Sequence, residues 1–114
     1  MWLFTKDGFY SVVKNKYCGP DEVAVRARTN DDILNFCLAT KTPTKRTIRT
    51  PEADYLFRVH VSREVFTNYV HECADQIDYP NFKNKAIAPG DHARSDAYHK
   101  CWEALHAWQE RTKK

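Results

Sequence analysis

The feature that most constrains this fold is a strand-strand-helix pattern that occurs twice along the chain. Strands are predicted over residues 9–13 and 23–28, followed by a helix that ends near Thr40. The pattern recurs as a short edge strand around residues 47–49, a strong strand from Asp54, and a helix after Ser62. Taken twice, this unit is a circular permutation of the ferredoxin-like arrangement, in which both helices cover one face of an antiparallel sheet. The sequence therefore predicts an α+β fold: a two-layer sandwich of permuted ferredoxin-like ββαββα order, plus an N-terminal strand and a C-terminal helix.

The first two strands are predicted to form a hairpin. Residues 2–5 and 9–13 are apolar and flank Asp7 and Gly8. Asp-Gly supplies the positive φ angles that a tight primed turn requires. We therefore expect the two strands to pair around this turn.

Two later strands alternate between apolar and polar side chains, as half-buried strands do. One predicted face carries Val23, Val25, Ala27, Tyr55, Phe57, Val59 and Val61. The opposite face carries Arg26, Arg28, Leu56, Arg58 and His60. If the helices cover the valine-rich face, the arginines project together from the other one.

Three helices follow from apolar residues that recur with a period near 3.6. Thr29 is expected to cap the first and Ser62 the second. The last helix is predicted over about Ser95 to Gln109, and residues 78–90 are predicted to be a loop. The residues of this last helix that we expect to be buried are Tyr98, Cys101, Trp102, Leu105 and Trp108.

Length and composition favour one domain over residues 1–114. The chain is 42% hydrophobic and 13% aromatic, which is typical of a globular protein that folds without staples. We expect neither a signal peptide nor a membrane span, because Lys6 and Asp7 interrupt the first apolar stretch and no run approaches the roughly 20 apolar residues that cross a membrane. The four cysteines are widely spaced, which favours reduced thiols and a cytoplasmic location. They are Cys18, Cys37, Cys73 and Cys101.

Positive charge is concentrated in the first half of the chain. Residues 1–63 hold 11 Lys/Arg against 7 Asp/Glu, whereas residues 64–114 hold 7 against 8. This permits contact with an anionic protein or nucleic acid, and Phe9 or Tyr10 could stack on a base. The alternative is that Glu22, Glu52 or Asp54 pairs with the arginines, or that the last helix covers them. The candidate partner-binding residues are Arg26, Arg28, Arg49, Arg58, His60, Tyr79, Asn81 and Lys83.

Chemistry-bearing motifs are few, so we predict a non-enzymatic protein with no cofactor. There is no glycine-rich phosphate loop, no His-Glu-x-x-His and no nucleophile elbow. His99, Glu103 and His106 share one helix face and are a weak metal candidate, because an exposed polar face explains the same spacing.

Five short motifs carry a resemblance over nearly the whole chain. They are Trp2-x-x-Thr5-x-x-Gly8-Phe9-Tyr10-Ser11, Val25-Arg26-Ala27-Arg28, Ala53-Asp54-Tyr55-x-x-Arg58-Val59, Asp78-Tyr79-x-Asn81-Phe82-Lys83 and Tyr98-x-x-x-Trp102. In their order the chain resembles a family of small bacterial and phage proteins that has no assigned activity. The resemblance implies a bacterial or phage setting and, if the gene is phage-borne, a small inhibitor of host defence of the anti-CRISPR type.

Three functions stay open at this point. The first is a small binding module that engages a protein or nucleic acid through the cationic sheet face. The second is a protein that binds single-stranded nucleic acid, and the third is a metal-binding protein or metal-assisted hydrolase. A homodimer through the uncovered sheet face is a further alternative.

Overall fold

The computed structural model describes residues 1–113, which fold into five strands, four α-helices and a short 3-10 helix at Thr44–Arg46. The strands are β1 Trp2–Thr5, β2 Gly8–Val13, β3 Glu22–Ala27, β4 Ile48–Arg49 and β5 Phe57–Ser62. The helices are α1 Asn30–Thr40, α2 Arg63–Asp75, α3 Phe82–Ala86 and α4 His92–Thr112. All strand pairs are antiparallel, in the order β1-β2-β3-β5-β4. The α+β prediction is therefore confirmed.

The chain divides into two compact units, Met1–Asp78 and Tyr79–Lys114. The first contains the whole sheet with α1 and α2, and the second contains α3 and α4. Among residues 1–113 no helix combines the length and the apolar composition that crossing a bilayer requires.

The core of the first unit lies between α1, α2 and one face of the sheet. Val12, Val25 and Val59 are aligned across three neighbouring strands and are at most 6% exposed. Phe36 of α1 and Tyr69 of α2 pack on this row as an edge-to-face pair, with ring centroids 4.9 Å apart. Burial of each such side chain stabilises the fold by about 1.5–3 kcal/mol.

The hairpin prediction is confirmed, but its predicted turn is wrong. Thr5 pairs with Gly8, so the two turn residues are Lys6 and Asp7, and Asp7 has no positive φ. Gly8 is needed for another reason: its φ is +153°, and the Asp32 carboxylate lies where a Cβ would stand. Asp32 Oδ2 accepts a hydrogen bond from the Phe9 N–H at 3.1 Å.

Both predicted helix caps are present. Thr29 Oγ1 accepts from the Asp32 N–H at 3.2 Å, and Ser62 Oγ accepts from the Val65 N–H at 3.1 Å. These bonds satisfy donors that a helix N-terminus otherwise leaves unpaired. The caps therefore fix where α1 and α2 begin, directly after the strands β3 and β5.

Tyr55 lies on the opposite side of the sheet from the one predicted. The fifth strand begins at Phe57 rather than at Asp54, because residues 51–56 form turns and bends instead of extended chain. The Thr50 N–H donates to the Leu56 carbonyl at 2.7 Å and closes this loop. The alternation of faces that extended chain would impose is lost, and Tyr55 reaches the arginines rather than the valines.

The second unit differs from the prediction in two ways. The expected loop contains the short helix α3, which Asn81 caps by accepting from the Asn84 N–H at 3.1 Å. On α4 only Tyr98 of the predicted buried stripe is buried, whereas Trp102, Leu105 and Trp108 are 52%, 62% and 59% exposed. The apolar residues of α4 recur with the period of a buried helix, but the described residues leave Trp102, Leu105 and Trp108 exposed.

Candidate anion-binding site

The sheet surface opposite α1 and α2 carries three arginines, and we call it the arginine face. Ser11, Arg26 and Arg58 are direct partners across β2, β3 and β5, so their side chains leave the sheet on the same side. Neighbouring strands lie about 4.8 Å apart, which brings the two arginines into one row. Arg28 follows the last residue of β3 and is exposed, whereas Arg26 and Arg58 are half-buried.

Neutral groups hold these arginines in place. Arg26 donates to Ser11, through Nη2 to Oγ at 2.6 Å and through Nε to the carbonyl at 3.3 Å. Arg28 Nη1 donates to the Asp54 carbonyl at 2.9 Å, and Arg58 Nε donates to Thr50 Oγ1 at 3.2 Å. A guanidinium group has five N–H donors, so most of the donors are left for another acceptor.

The alternative that cross-strand carboxylates neutralise the arginines is wrong. Within residues 1–113, no carboxylate oxygen lies within 4.0 Å of a nitrogen of Arg26, Arg28 or Arg58. Asp54 offers its backbone carbonyl only, and the Glu22 carboxylate instead accepts the Gly19 N–H at 2.8 Å. Among the described residues, the three positive charges of the arginine face therefore make no salt bridge.

The Tyr55 ring makes cation–π contacts with two of these arginines. Its ring centroid is 4.6 Å from Arg26 Cζ and 4.1 Å from Arg28 Cζ. The ring itself is only 3% exposed. Each cation–π contact contributes roughly 0.5–2 kcal/mol, and together they hold two like charges against the same ring.

An aromatic group lies on the same side of the sheet. Trp2 pairs with Ser11, and Phe4 pairs with Phe9, which places all three rings on the arginine face. The Phe9 centroid is 6.0 Å from that of Trp2 and 4.5 Å from that of Phe4. Trp2 is 73% exposed. Sequence reasoning missed Trp2, although its register opposite Ser11 in the predicted hairpin would have indicated it.

Tyr10, the other predicted stacking residue, is not at the site. It is fully buried on the helix side, where its hydroxyl donates to the Asp32 carbonyl at 2.7 Å. Arg49 is also absent from the arginine face, since it pairs with Phe57 and leaves the sheet on the other side. His60 does lie on the arginine face opposite Ala24, half-buried, and its Nε2 has no hydrogen-bond partner among the described residues.

Tyr79, Asn81 and Lys83 belong to the second unit. Asn81 is accounted for as the cap of α3, and the Tyr79 ring lies 6.1 Å from that of Phe82. Lys83 Nζ lies 5.6 Å from the centroid of Trp102. Each of these residues thus has a local structural role within the second unit.

The metal candidates on α4 are engaged separately. His99 Nε2 lies 2.8 Å from Glu103 Oε1, whereas His106 Nε2 lies 3.4 Å from Glu110 Oε1. Trp102 stacks on both imidazole rings, at 5.8 and 4.8 Å. In residues 1–113 no three His, Cys, Asp or Glu side chains are grouped so that they could hold a metal ion.

A second polar cluster joins α2 to the hairpin. Tyr69 Oη donates to Asp7 Oδ2 at 2.8 Å and shares a 2.7 Å hydrogen bond with Thr5 Oγ1. Burial raises the pKa of Tyr69 far above its ordinary value of 10.0. A phenol that stays protonated here is a structural link rather than a base.

The cysteines should differ sharply in reactivity. Burial raises the pKa of Cys37 and of Cys73, which suppresses the reactive thiolate. Cys101 is exposed on α4. We expect an aromatic disulfide reagent at pH 8 to modify Cys101 first and Cys37 only after unfolding. Cys101→Ser should remove the fastest phase and leave the slower reaction of the half-buried Cys18, and an unchanged fastest phase would contradict the assignment.

Comparisons with known proteins leave the site to be interpreted from its geometry. Models of protein families, curated proteins and solved structures give no match for this chain. The resemblance to small bacterial and phage proteins therefore stays a prediction, and the arginine face is the feature from which a function can be argued.

Proposed function

We propose that this protein is a small non-enzymatic binding module whose arginine face holds an anionic partner. One observation carries the proposal: Arg26, Arg28 and Arg58 share a sheet face and have no carboxylate within 4.0 Å in residues 1–113. Like charges brought together near a protein surface repel each other, and an anionic ligand relieves that repulsion. The partner is a protein or a nucleic acid that presents phosphate or carboxylate groups.

The geometry suits recognition of such groups. Arginine presents a planar fork of donors that matches phosphate and carboxylate oxygens in pairs. Tyr55 and the hydrogen bonds to Ser11 and Asp54 restrict how Arg26 and Arg28 move, so less side-chain entropy is lost on binding. The site is therefore prepared for its ligand before the ligand arrives.

We propose further that the first unit is a permuted ferredoxin-like sandwich. Four of its strands follow the order β2-β3-β5-β4 with every pair antiparallel, which is the order expected of ββαββα. α1 connects β3 to β4, and α2 follows β5. β1 then extends the sheet at one edge. The bacterial or phage setting, the cytoplasmic location and the role in inhibiting host defence stay predictions.

Charge reversal tests the binding site. Inorganic polyphosphate serves as the probe because it offers phosphates without any base. We expect Arg26→Glu with Arg28→Glu to weaken its binding tenfold or more, the loss that removing two phosphate contacts produces, as measured by calorimetry at low salt. The matched control is Lys45→Glu with Arg49→Glu, which makes the same change in net charge outside the arginine face and should change affinity less than threefold.

Three results would overturn this proposal. Equal losses in both double variants would show that net charge alone attracts the probe. The second is failure of the wild-type protein to bind either polyphosphate or polyglutamate. The third is a wild-type dimer in analytical ultracentrifugation that becomes a monomer in the Arg26→Glu, Arg28→Glu variant. The arginine face would then bind a second copy of this chain.

A further inference from the structure

We infer that the ligand of the arginine face is a single strand of nucleic acid, with a base stacked on Trp2 and phosphates bound by Arg26 and Arg28. This inference rests on the proposed function, since it names the class of anion that the face holds. It adds one element that an anion site alone does not need, namely the aromatic group beside the arginines.

Trp2 offers an exposed aromatic ring on the arginine face. The Trp2 indole is 73% exposed and forms, with Phe4 and Phe9, a group of rings on the sheet face rather than a single exposed apolar residue. Phe9 supports the indole edge-on, with ring centroids 6.0 Å apart and planes at 83°. A base can stack on an indole face, and every base has such a face, so the contact is strong without being sequence-specific.

A second observation is the position of Trp2 relative to the charges. Trp2 pairs with Ser11, and Ser11 pairs with Arg26, so the backbones of Trp2 and Arg26 are two strands, or about 10 Å, apart. The Arg26 guanidinium reaches Ser11 at 2.6 Å and therefore extends toward the strand that carries Trp2. Arg28 lies two residues after Arg26, just beyond the end of β3, and contacts the same Tyr55 ring. A short strand of nucleic acid can therefore contact the ring with a base and the arginines with its backbone.

Single strands fit this surface better than duplexes do. In a duplex the bases are stacked on each other, and their edges are reached through a groove that admits a helix or a narrow ribbon. A broad sheet face that offers one exposed ring requires a base that is already unstacked. An acidic peptide would use the arginines as well, but its carboxylate side chains offer no aromatic ring to stack on Trp2.

The experiment separates the ring from the charges. Fluorescence anisotropy is measured with a labelled oligothymidine and with an oligomer of equal length whose bases are removed. We expect Trp2→Ala to weaken the oligothymidine roughly five- to hundredfold, the range that loss of one stacked base gives. The same change should leave the base-free oligomer unaffected, and Trp2→Phe should restore part of the loss.

Trp108→Ala is the matched control, since Trp108 is a similarly exposed tryptophan on α4 rather than on the sheet. It should change neither affinity. The wild-type affinity for oligothymidine should also fall with salt, with a slope of about −0.7 in log–log form for each phosphate bound to a single strand.

The outcomes distinguish this inference from the proposed function. Equal binding of both oligomers, insensitive to Trp2→Ala but lost in Arg26→Glu with Arg28→Glu, would overturn the inference and leave the anion site standing. Binding of polyglutamate but of neither oligomer would also overturn it, in favour of an acidic protein. Binding of no anion at all would overturn both.

Discussion

Gly8→Ala is expected to destabilise the protein by about 3 kcal/mol, a large part of the stability of a domain of this size. The added Cβ would stand 2.7 Å from Asp32 Oδ2 and closer to the rest of that carboxylate. The carboxylate would have to move, and its hydrogen bond from the Phe9 N–H would be lost. The φ of +153° adds backbone strain. Urea denaturation followed by circular dichroism measures the loss.

Gly90→Ala is the matched control for this change. Gly90 has a φ of +87°, and nothing lies within 4 Å of the Cβ it would acquire. The Gly90→Ala variant therefore suffers only the backbone strain of an alanine at positive φ, and we expect its free energy of unfolding to fall by about 1 kcal/mol. If the two variants were equally stable, the contact with Asp32 would not be the reason for the glycine at position 8.

Tyr69→Phe should cost about 2 kcal/mol at neutral pH, because it removes a buried hydroxyl that bonds to both Thr5 and Asp7. The ring stays packed on Phe36, so the loss reports the hydrogen bonds. Tyr17→Phe is the control, since Tyr17 is 70% exposed, and it should change stability by less than about 0.5 kcal/mol.

Tyr69 also makes the stability of the protein depend on pH in the alkaline range. Burial raises the pKa of Tyr69 in the folded state, so its contribution is complete below the ordinary value of 10.0 and is lost as the pH rises above it. Wild-type stability should fall above pH 10, and Tyr69→Phe should fall less steeply there. A variant that kept the wild-type slope would contradict the burial of this phenol. Cys37 and Cys73 act in the same direction above their ordinary value of 9.0.

Local sequence rules predicted the elements well because their causes are local. Thr29 and Ser62 cap the helices that they precede in the sequence, and the valines of β3 and β5 alternate as half-buried strands do. The arginine row follows from the same alternation. The caps and the alternation within each strand depend on neighbours within a few residues, whereas the register that brings Arg26 opposite Arg58 does not.

The incorrect predictions concern features that depend on residues far apart in the sequence. The face of Tyr55 could not be predicted because a loop interrupts the alternation that was used to assign it. Gly8 was interpreted as a turn residue, whereas Asp32, 24 positions away, is what requires it. The α4 stripe has the period of a buried helix, but period alone cannot tell whether anything covers Trp102, Leu105 and Trp108.

The most direct test of the anion site is an NMR titration of the isotope-labelled protein with inorganic polyphosphate. The side-chain Nε–H signals of arginine report each guanidinium separately. We predict that the largest shifts fall on Arg26, Arg28 and Arg58 and on the backbone of β2, β3 and β5, while Arg49 changes little. Shifts concentrated in residues 41–50, which carry Lys41, Lys45, Arg46 and Arg49, or spread evenly over all lysines and arginines, would contradict the arginine face as the binding site.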